Sequence, residues 1–256
     1  GAYGVHAGGS YASQMADMKA KGVRVVRWFV FTDLRGGVLF NDWGAPTGLD
    51  PWTIKDLETA LELAKANDLH VILVLFDFGV MMKSKVVNGV QTGGHTDLIV
   101  DPVKTLPLME KVVKPVLAKF ARHPNVLAWE VMNEPEWGIW DIPEPKVMEG
   151  MVPVTMAQFR NFASQVSAAI HAVAGAHSTV GSASLGWVKV WSNAFAASKG
   201  LPPLNLDFYQ IHYYPHLAEG KWTNHPVYGT HSWTPLKQKV SGLGLDRPVL
   251  VGEIQM

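Results

Sequence analysis

Between His70 and Asp77 the chain reads Val-Ile-Leu-Val-Leu-Phe, with no polar side chain in between. That is the length of one strand, and successive side chains of a strand point to opposite faces. A strand apolar on both faces must be covered on both, which is the situation of a parallel strand walled by helices. Helical segments stand on either side of it. One opens at Asp50-Pro51 and runs to about Asn67, with Leu57, Leu61 and Ala64 at helical spacing; another opens at Asp101-Pro102 and runs to about His123.

The same alternation extends along the chain. Strands are predicted at Val23–Phe31, His70–Asp77, Val126–Glu134, Ser178–Ser184, Phe208–Pro215 and Pro248–Glu253. Helices are predicted from Ser10 to about Lys21, from Thr155 to about Ala174, around Val188–Ser198 and from Pro235 to about Leu243. Alternating strands and helices imply a parallel sheet. The stretches after strands, notably 32–52, 79–100 and 138–154, are long and read as loops, whereas the returns from helix to strand are short. That asymmetry suits a (β/α) barrel, whose site is built by loops at the carboxyl ends of the strands. A doubly wound open sheet is the alternative. No Gly-x-Gly-x-x-Gly follows a strand and no Walker motif is present, which weakens its nucleotide-binding form. No second-domain boundary or internal repeat is visible, so residues 1–256 are expected to form one barrel domain.

Composition narrows the partners. The 22 basic side chains balance 22 acidic ones and form no basic stripe, which disfavours nucleic acid and polyanions. No apolar run reaches the ~18 residues of a membrane helix. Cysteine is absent, removing disulfides, thiol nucleophiles and thiolate metal sites. No signal peptide is visible, and composition leaves the compartment undecided; secretion is the favoured expectation. Ten tryptophans and six tyrosines supply flat apolar faces of the kind that stack on sugar rings, although such residues also fill cores.

Chemistry is expected where the strands turn polar at one end. Alternation along Val126–Glu134 places Glu130, Met132 and Glu134 on one face, with Glu134 at the carboxyl end and Pro135 as the stop. Asn133 and Trp137 flank Glu134. The other strands send Arg27, Asp77, the set Gln210, His212 and Tyr214, and Glu253 toward the same mouth. Two carboxylates from different strands are what glycoside hydrolysis needs, one protonated to serve the leaving oxygen and one ionised to attack. Arg27 beside Glu253 would keep it ionised, whereas Glu134, with no cation beside it in this reading, would hold its proton. Glu130 sits deeper and is expected to pair with an arginine. Trp140, Trp187, Trp191 and Trp222 are further sugar-platform candidates, and His216, His225 and His231 lie near Trp222 and Trp233 in a loop.

These motifs resemble a known family. Trp129-Glu-Val-Met-Asn-Glu-Pro135 and Val251-Gly-Glu253 are similar to the acid/base and nucleophile strands of the clan A glycoside hydrolases, with cellulase-like members of glycoside hydrolase family 5 nearest. Val23-Arg-Val-Val-Arg-Trp28 resembles the family's arginine strand, and Asp207-Phe-Tyr-Gln-Ile-His-Tyr-Tyr214 its His-x-Tyr strand. The resemblance implies an eight-stranded (β/α)8 barrel acting on a β-1,4-linked glucan or mannan by double displacement, with retention. It implies Glu134 as acid/base and Glu253 as nucleophile. Asn133 would hold the sugar 2-hydroxyl, Arg27 and Tyr214 would orient Glu253, and His212 would line the site. Beside these, Asp77 reads equally as a sugar contact or a loop cap, and Trp137 equally as a sugar platform or core packing. No cofactor or metal is implied, the partner is an oligo- or polysaccharide, and a monomer is expected.

The sequence departs from the family pattern in places. Many members carry a histidine at the end of the second predicted strand, where this chain has Asp77; Asp77 or His95 is expected to substitute. The family's first strand, and the eighth with its sugar-site tryptophan, have no counterpart in residues 1–256, so a barrel incomplete at both ends is expected. Two competing functions follow: a non-catalytic carbohydrate binder on that incomplete barrel, and a metal-dependent barrel hydrolase using His212, Asp77 and glutamates.

Overall fold

The computed structural model describes residues 4–143, 145, 147–173, 175–214 and 240–254. Its centre is a six-stranded sheet: β1 (Val25–Phe29), β2 (His70–Asp77), β3 (Val126–Asn133), β4 (Ser178–Ser182), β5 (Tyr209–Tyr213) and β6 (Val249–Ile254). All neighbours pair in parallel and in chain order. A doubly wound sheet reverses its strand order at a switch point; this one never reverses. The sheet instead curls until Arg27 on β1 forms an ion pair with Glu253 on β6, the two edge strands. A curled, singly wound parallel sheet of six strands is the arrangement of an incomplete (β/α)8 barrel.

The helices cover the outer face. They are α1 (Tyr11–Ala20), α2 (Thr53–Ala66), α3 in three consecutive parts (Pro102–Leu108, Met109–Val113, Lys114–Phe120), α4 (Met156–His171) and α5 (Asn193–Lys199). In β2, Val71, Leu73 and Leu75 join the core shared with the helices, while buried Ile72 faces the interior between β1 and β6. On α2, Leu57, Ala60, Leu61 and Ala64 are the buried stripe. A reciprocal capping box between Thr155 and Gln158 opens α4. The middle part of α3 is a π-turn, in which the Lys114 amide reaches back to the Met109 carbonyl. Pro115 explains it, since a proline has no N–H and its ring excludes the carbonyl four residues earlier.

Two predicted loops contain small sheets. Val38–Phe40 pairs antiparallel with Pro46–Leu49, and Lys85–Val87 with Val90–Thr92. The second is a hairpin turning on Asn88-Gly89, both at positive φ (50° and 79°), a dipeptide that favours such turns and was a legible signal. The helix expected around Val188–Ser198 is split by Ser192, which caps α5 through the Phe195 amide. Most of the helix expected from Pro235 lies outside the described residues, and Val240–Leu243 is a single 3₁₀ turn.

The edges β1 and β6 flank a cavity of about 360 Å³ lined by Val25, Arg27, Ile72, Val251 and Glu253. Val251 stays 40% exposed there. The glycine of Val-Gly-Glu is a matter of space: a Cβ at Gly252 would lie 2.5 Å from Gln210 carbons, and Gln210 is fully buried. Among the described residues, no helix is long and apolar enough to cross a membrane.

Candidate active site

The site rises from a buried polar layer. Glu130, on β3, has no exposed surface, and a buried carboxylate requires donors. It has three: Arg27 Nε at 3.0 Å and Gln210 Nε2 at 2.5 Å, both on Oε2, and Arg27 Nη2 at 2.6 Å on Oε1. The rest of the Arg27 fork points upward. Nη2 also donates to Asn133 Oδ1 at 2.9 Å, and Nη1 donates to Glu253 Oε1. Burial alone would lower the Arg27 pKa, but the carboxylates of Glu130 and Glu253 outweigh it and raise it. One planar guanidinium thereby ties β1, β3 and β6 together.

Simple alternation does not describe the top of β3. Its register against β4 slips between Glu130 and Asn133, so Asn133 reaches Arg27 just as Glu130 does. Glu134 then lies past the strand, in the left-handed region at φ 45° and ψ 48°. That conformation costs a non-glycine residue roughly 1–2 kcal/mol. Glu134 therefore faces the site because of a bulge and a left-handed turn, rather than through the period-two pattern expected for it.

The two glutamates carry different partners. Glu134 Oε1 lies 2.6 Å from His212 Nδ1, and Glu134 Oε2 accepts from Trp137 Nε1 at 2.8 Å. β5 thus brings the buried His212 ring directly against Glu134, a neighbour that the reading of the sequence did not give it. Glu253 accepts from Arg27 on one oxygen and from the Tyr214 hydroxyl on the other. Burial pushes the Glu253 carboxyl up, but His212, Tyr214 and Arg27 more than offset this and hold it below the usual range. The Tyr214 phenol is raised by burial and by that same carboxylate. One ligand atom from each of Glu134, His212 and Glu253 lies within 4.8 Å of the others. That spacing would also admit a metal ion. The four carboxylate oxygens, however, already face Arg27, Tyr214, Trp137 and His212, and a cation there would sit against a guanidinium.

Asp77 closes the ring. Its Oδ2 accepts from Asn133 Nδ2 at 2.9 Å and its Oδ1 from the Gly79 amide at 2.8 Å. Burial lifts its pKa to about 6, with Glu134 and Asp33 adding to the rise and the Asn133 and Gly79 hydrogen bonds opposing it. The structure thus brings together Arg27, Asp77, Asn133, Glu134, Trp137, His212, Tyr214 and Glu253. His95 is elsewhere: it stacks on Phe40 at 4.8 Å, in a separate pocket with Arg35 and Gln91. Trp187 and Trp191 are core residues at 3% and 1% exposure, which removes them as open platforms, whereas Trp140 is 54% exposed. His216, Trp222, His225, His231 and Trp233 lie outside the described residues.

Sequence reasoning passed over Glu136. It is wholly buried two residues beyond Glu134, in the turn Pro135–Gly138. Its Oε1 accepts from Ser182 Oγ and from Trp191 Nε1 at 2.7 Å, and its Oε2 from the Ala183 amide at 3.2 Å. Its signal was the fourth residue of Asn-Glu-Pro-Glu, an acid with no solvent-facing pattern to explain it. Burial lifts its pKa to about 7. The folded state therefore binds this proton more tightly than the unfolded chain, so stability should rise as pH falls from about 7 toward the ordinary carboxylate range. The gain is on the order of 3 kcal/mol if Glu136 acts alone, and Asp77 adds in the same direction around pH 6. Chemical denaturation between about pH 5 and 8 should show that slope, and Glu136→Gln should flatten it. An equal slope in the variant would assign it to other groups.

With that geometry in place, known proteins can be compared. Residues 3–256 match the family profile described as Cellulase (glycosyl hydrolase family 5). The mannan endo-1,4-beta-mannosidase of Cryptopygus antarcticus is 26% identical over 259 residues, covering 92% of this chain and 63% of its own length. That of Mytilus edulis is 25% identical over 267 residues, covering 95% of this chain and 68% of its own length. The chain thus spans just under two thirds of the first relative. In structure, the β-mannanase of the blue mussel Mytilus edulis matches with a TM-score of 0.75 at 23% identity, covering 94% of this chain and 70% of that one. The β-1,4-D-mannanase of Cryptopygus antarcticus matches with a TM-score of 0.76 at 22% identity, covering 95% and 68%. At such identity the structural matches speak for the fold, while the profile match runs almost from end to end. The chain belongs to glycosyl hydrolase family 5, the cellulase family.

Proposed function

We propose that this chain forms the catalytic barrel of a retaining glycoside hydrolase that cleaves β-1,4-linked mannan. The observation that carries the reading is the facing pair of glutamates, with oxygens within 4.8 Å and with opposite surroundings. Retaining enzymes hold their carboxyl groups about 5–5.5 Å apart, and inverting ones ~6.5–9.5 Å to admit a water. Glu253, kept ionised by its donors, attacks the anomeric carbon while Glu134 gives its proton to the departing glycosidic oxygen. A glycosyl ester on Glu253 results. Glu134 then takes a proton from water, whose oxygen attacks the same carbon, and the ester bond breaks to free Glu253. Two inversions restore the starting configuration. Mannan is favoured over glucan because both curated relatives are named mannan endo-1,4-beta-mannosidase. A polymer too large to cross a membrane places the enzyme outside the cell.

In this reading the six strands are the second to seventh of an eight-stranded barrel, and the gap between β1 and β6 is where the first and eighth belong. The second reading is a binder without turnover. Proton NMR of mannan digestion decides between them. Reducing ends appearing first as the β-anomer are expected. Initial α-anomer would overturn the retaining mechanism, and binding without release of reducing ends would favour the binder.

A further inference from the structure

Resting on that hydrolase reading, we infer that Asp77 is a positioning residue that sets the orientation of the Asn133 side-chain amide rather than a group that touches the sugar. The chemistry of the neighbours leaves one arrangement. Arg27 can only donate, and its Nη2 lies 2.9 Å from Asn133 Oδ1. The Asp77 carboxylate accepts, and its Oδ2 lies 2.9 Å from Asn133 Nδ2. Turning the amide over would set donor against donor at Arg27 and acceptor against acceptor at Asp77. A buried mismatch of that kind is strongly disfavoured. Fixed this way, the amide keeps its oxygen on Arg27 and one N–H on Asp77. Its second N–H is left as the donor for a sugar hydroxyl.

Asp77 is itself held in place. Oδ1 accepts from the Gly79 amide at 2.8 Å, so both carboxylate oxygens are engaged within the protein. The turn packs tightly there: a Cβ at Gly79 would come 2.9 Å from Asp77 Oδ1 and 3.0 Å from Asp33 Cβ. Of the two roles the sequence leaves open for Asp77, sugar contact and loop cap, the cap on the Gly79 amide is present, and with it a contact to the residue that would meet the substrate.

Two variants separate this role from a structural one. Asp77→Ser keeps a short acceptor for the Gly79 amide but cannot reach Asn133. Asp77→Asn keeps one oxygen at full reach for Asn133, with its NH2 group then turned to the Gly79 amide. The substrates are an aryl β-mannotrioside and its analogue lacking the 2-hydroxyl on the reacting sugar. On the parent compound, Asp77→Ser should lose ~10- to 100-fold in kcat/KM, the worth of one well-placed hydrogen bond in the transition state. On the 2-deoxy analogue it should lose little, and Asp77→Asn, which keeps the contact with Asn133, should lose less than Asp77→Ser on the parent compound. Equal losses on the two substrates, or no loss on the parent, would overturn the proposal. If the unaltered protein turns over neither substrate, the hydrolase reading fails, and the amide is then read directly. Exchange of the Asn133 side-chain protons, followed by nitrogen-edited NMR without substrate, should be at least ~10-fold faster in Asp77→Ser than in the unaltered protein or Asp77→Asn. Unchanged exchange would overturn the role of Asp77 whatever the reaction.

Discussion

Replacing Glu253 by glutamine is expected, on the proposed mechanism, to lower mannan turnover by at least ~10⁴-fold while leaving the fold intact, because the step lost in that mechanism is formation of the covalent intermediate. Glutamine has the same shape. Its oxygen can accept from Arg27, and its amide can donate to the Tyr214 oxygen, since a phenol hydroxyl rotates to suit. The thermal midpoint should therefore move far less than the rate. Glu134→Gln should behave differently. General acid–base catalysis contributes ~10²–10⁴-fold, and its loss should be severe for mannan but small for aryl glycosides whose leaving group needs no proton. A Glu134→Gln variant that loses equally on both substrates, or either variant with an unchanged rate, would dismantle the assignment of roles.

Arg27→Met is expected to destabilise the protein by ~3–5 kcal/mol at neutral pH, the range seen when one partner of a buried ion pair is removed. Two anions are affected. Glu130, with no exposed surface, would be left with Gln210 as its remaining donor in the layer. Glu253 would lose the cation that helps hold its carboxyl low, so its pKa should rise. Stability should then be recovered at acid pH, where a stranded carboxylate can take up a proton. Adding Glu130→Leu should restore much of the loss, because the wholly buried charge is then gone and only the part-exposed Glu253 lacks its cation. Urea titrations of the single and double variants read this directly. A single-variant loss below about 1 kcal/mol would mean that water or another cation already serves Glu130.

How much of this was legible depended on whether a local rule survived in the fold. The β2 limits coincide with the predicted His70–Asp77, because a run apolar on both faces has no other stable placement. Arg27, His212 and Glu253 could be assigned to strands from pattern alone. Glu134 was found for an incomplete reason: parity assumes a regular pleat, and the slip above Glu130 and the left-handed turn that aim it are invisible to that rule. The neighbour of Glu134 was also beyond reach, since His212 arrives from 78 residues away through strand order. Glu136 carried no pattern, because its reason for being there is three donors from other segments. The loop pairs were short enough to escape periodicity, yet Asn88-Gly89 announced one of them. His95 sat between glycines and an acid, and only its packing on Phe40 shows that it belongs to a wall of its own.

The Arg27–Glu253 link across the two sheet edges has a consequence for assembly. In the proposed mechanism the attacking carboxylate and the cation that readies it belong to opposite borders, more than two hundred residues apart in the chain. In that mechanism, a molecule in which β6 has failed to dock would still present Glu134, but would have nothing to capture the sugar. Such a misassembled molecule would be inert rather than indiscriminate, and chemistry would begin only once β1 and β6 had come together.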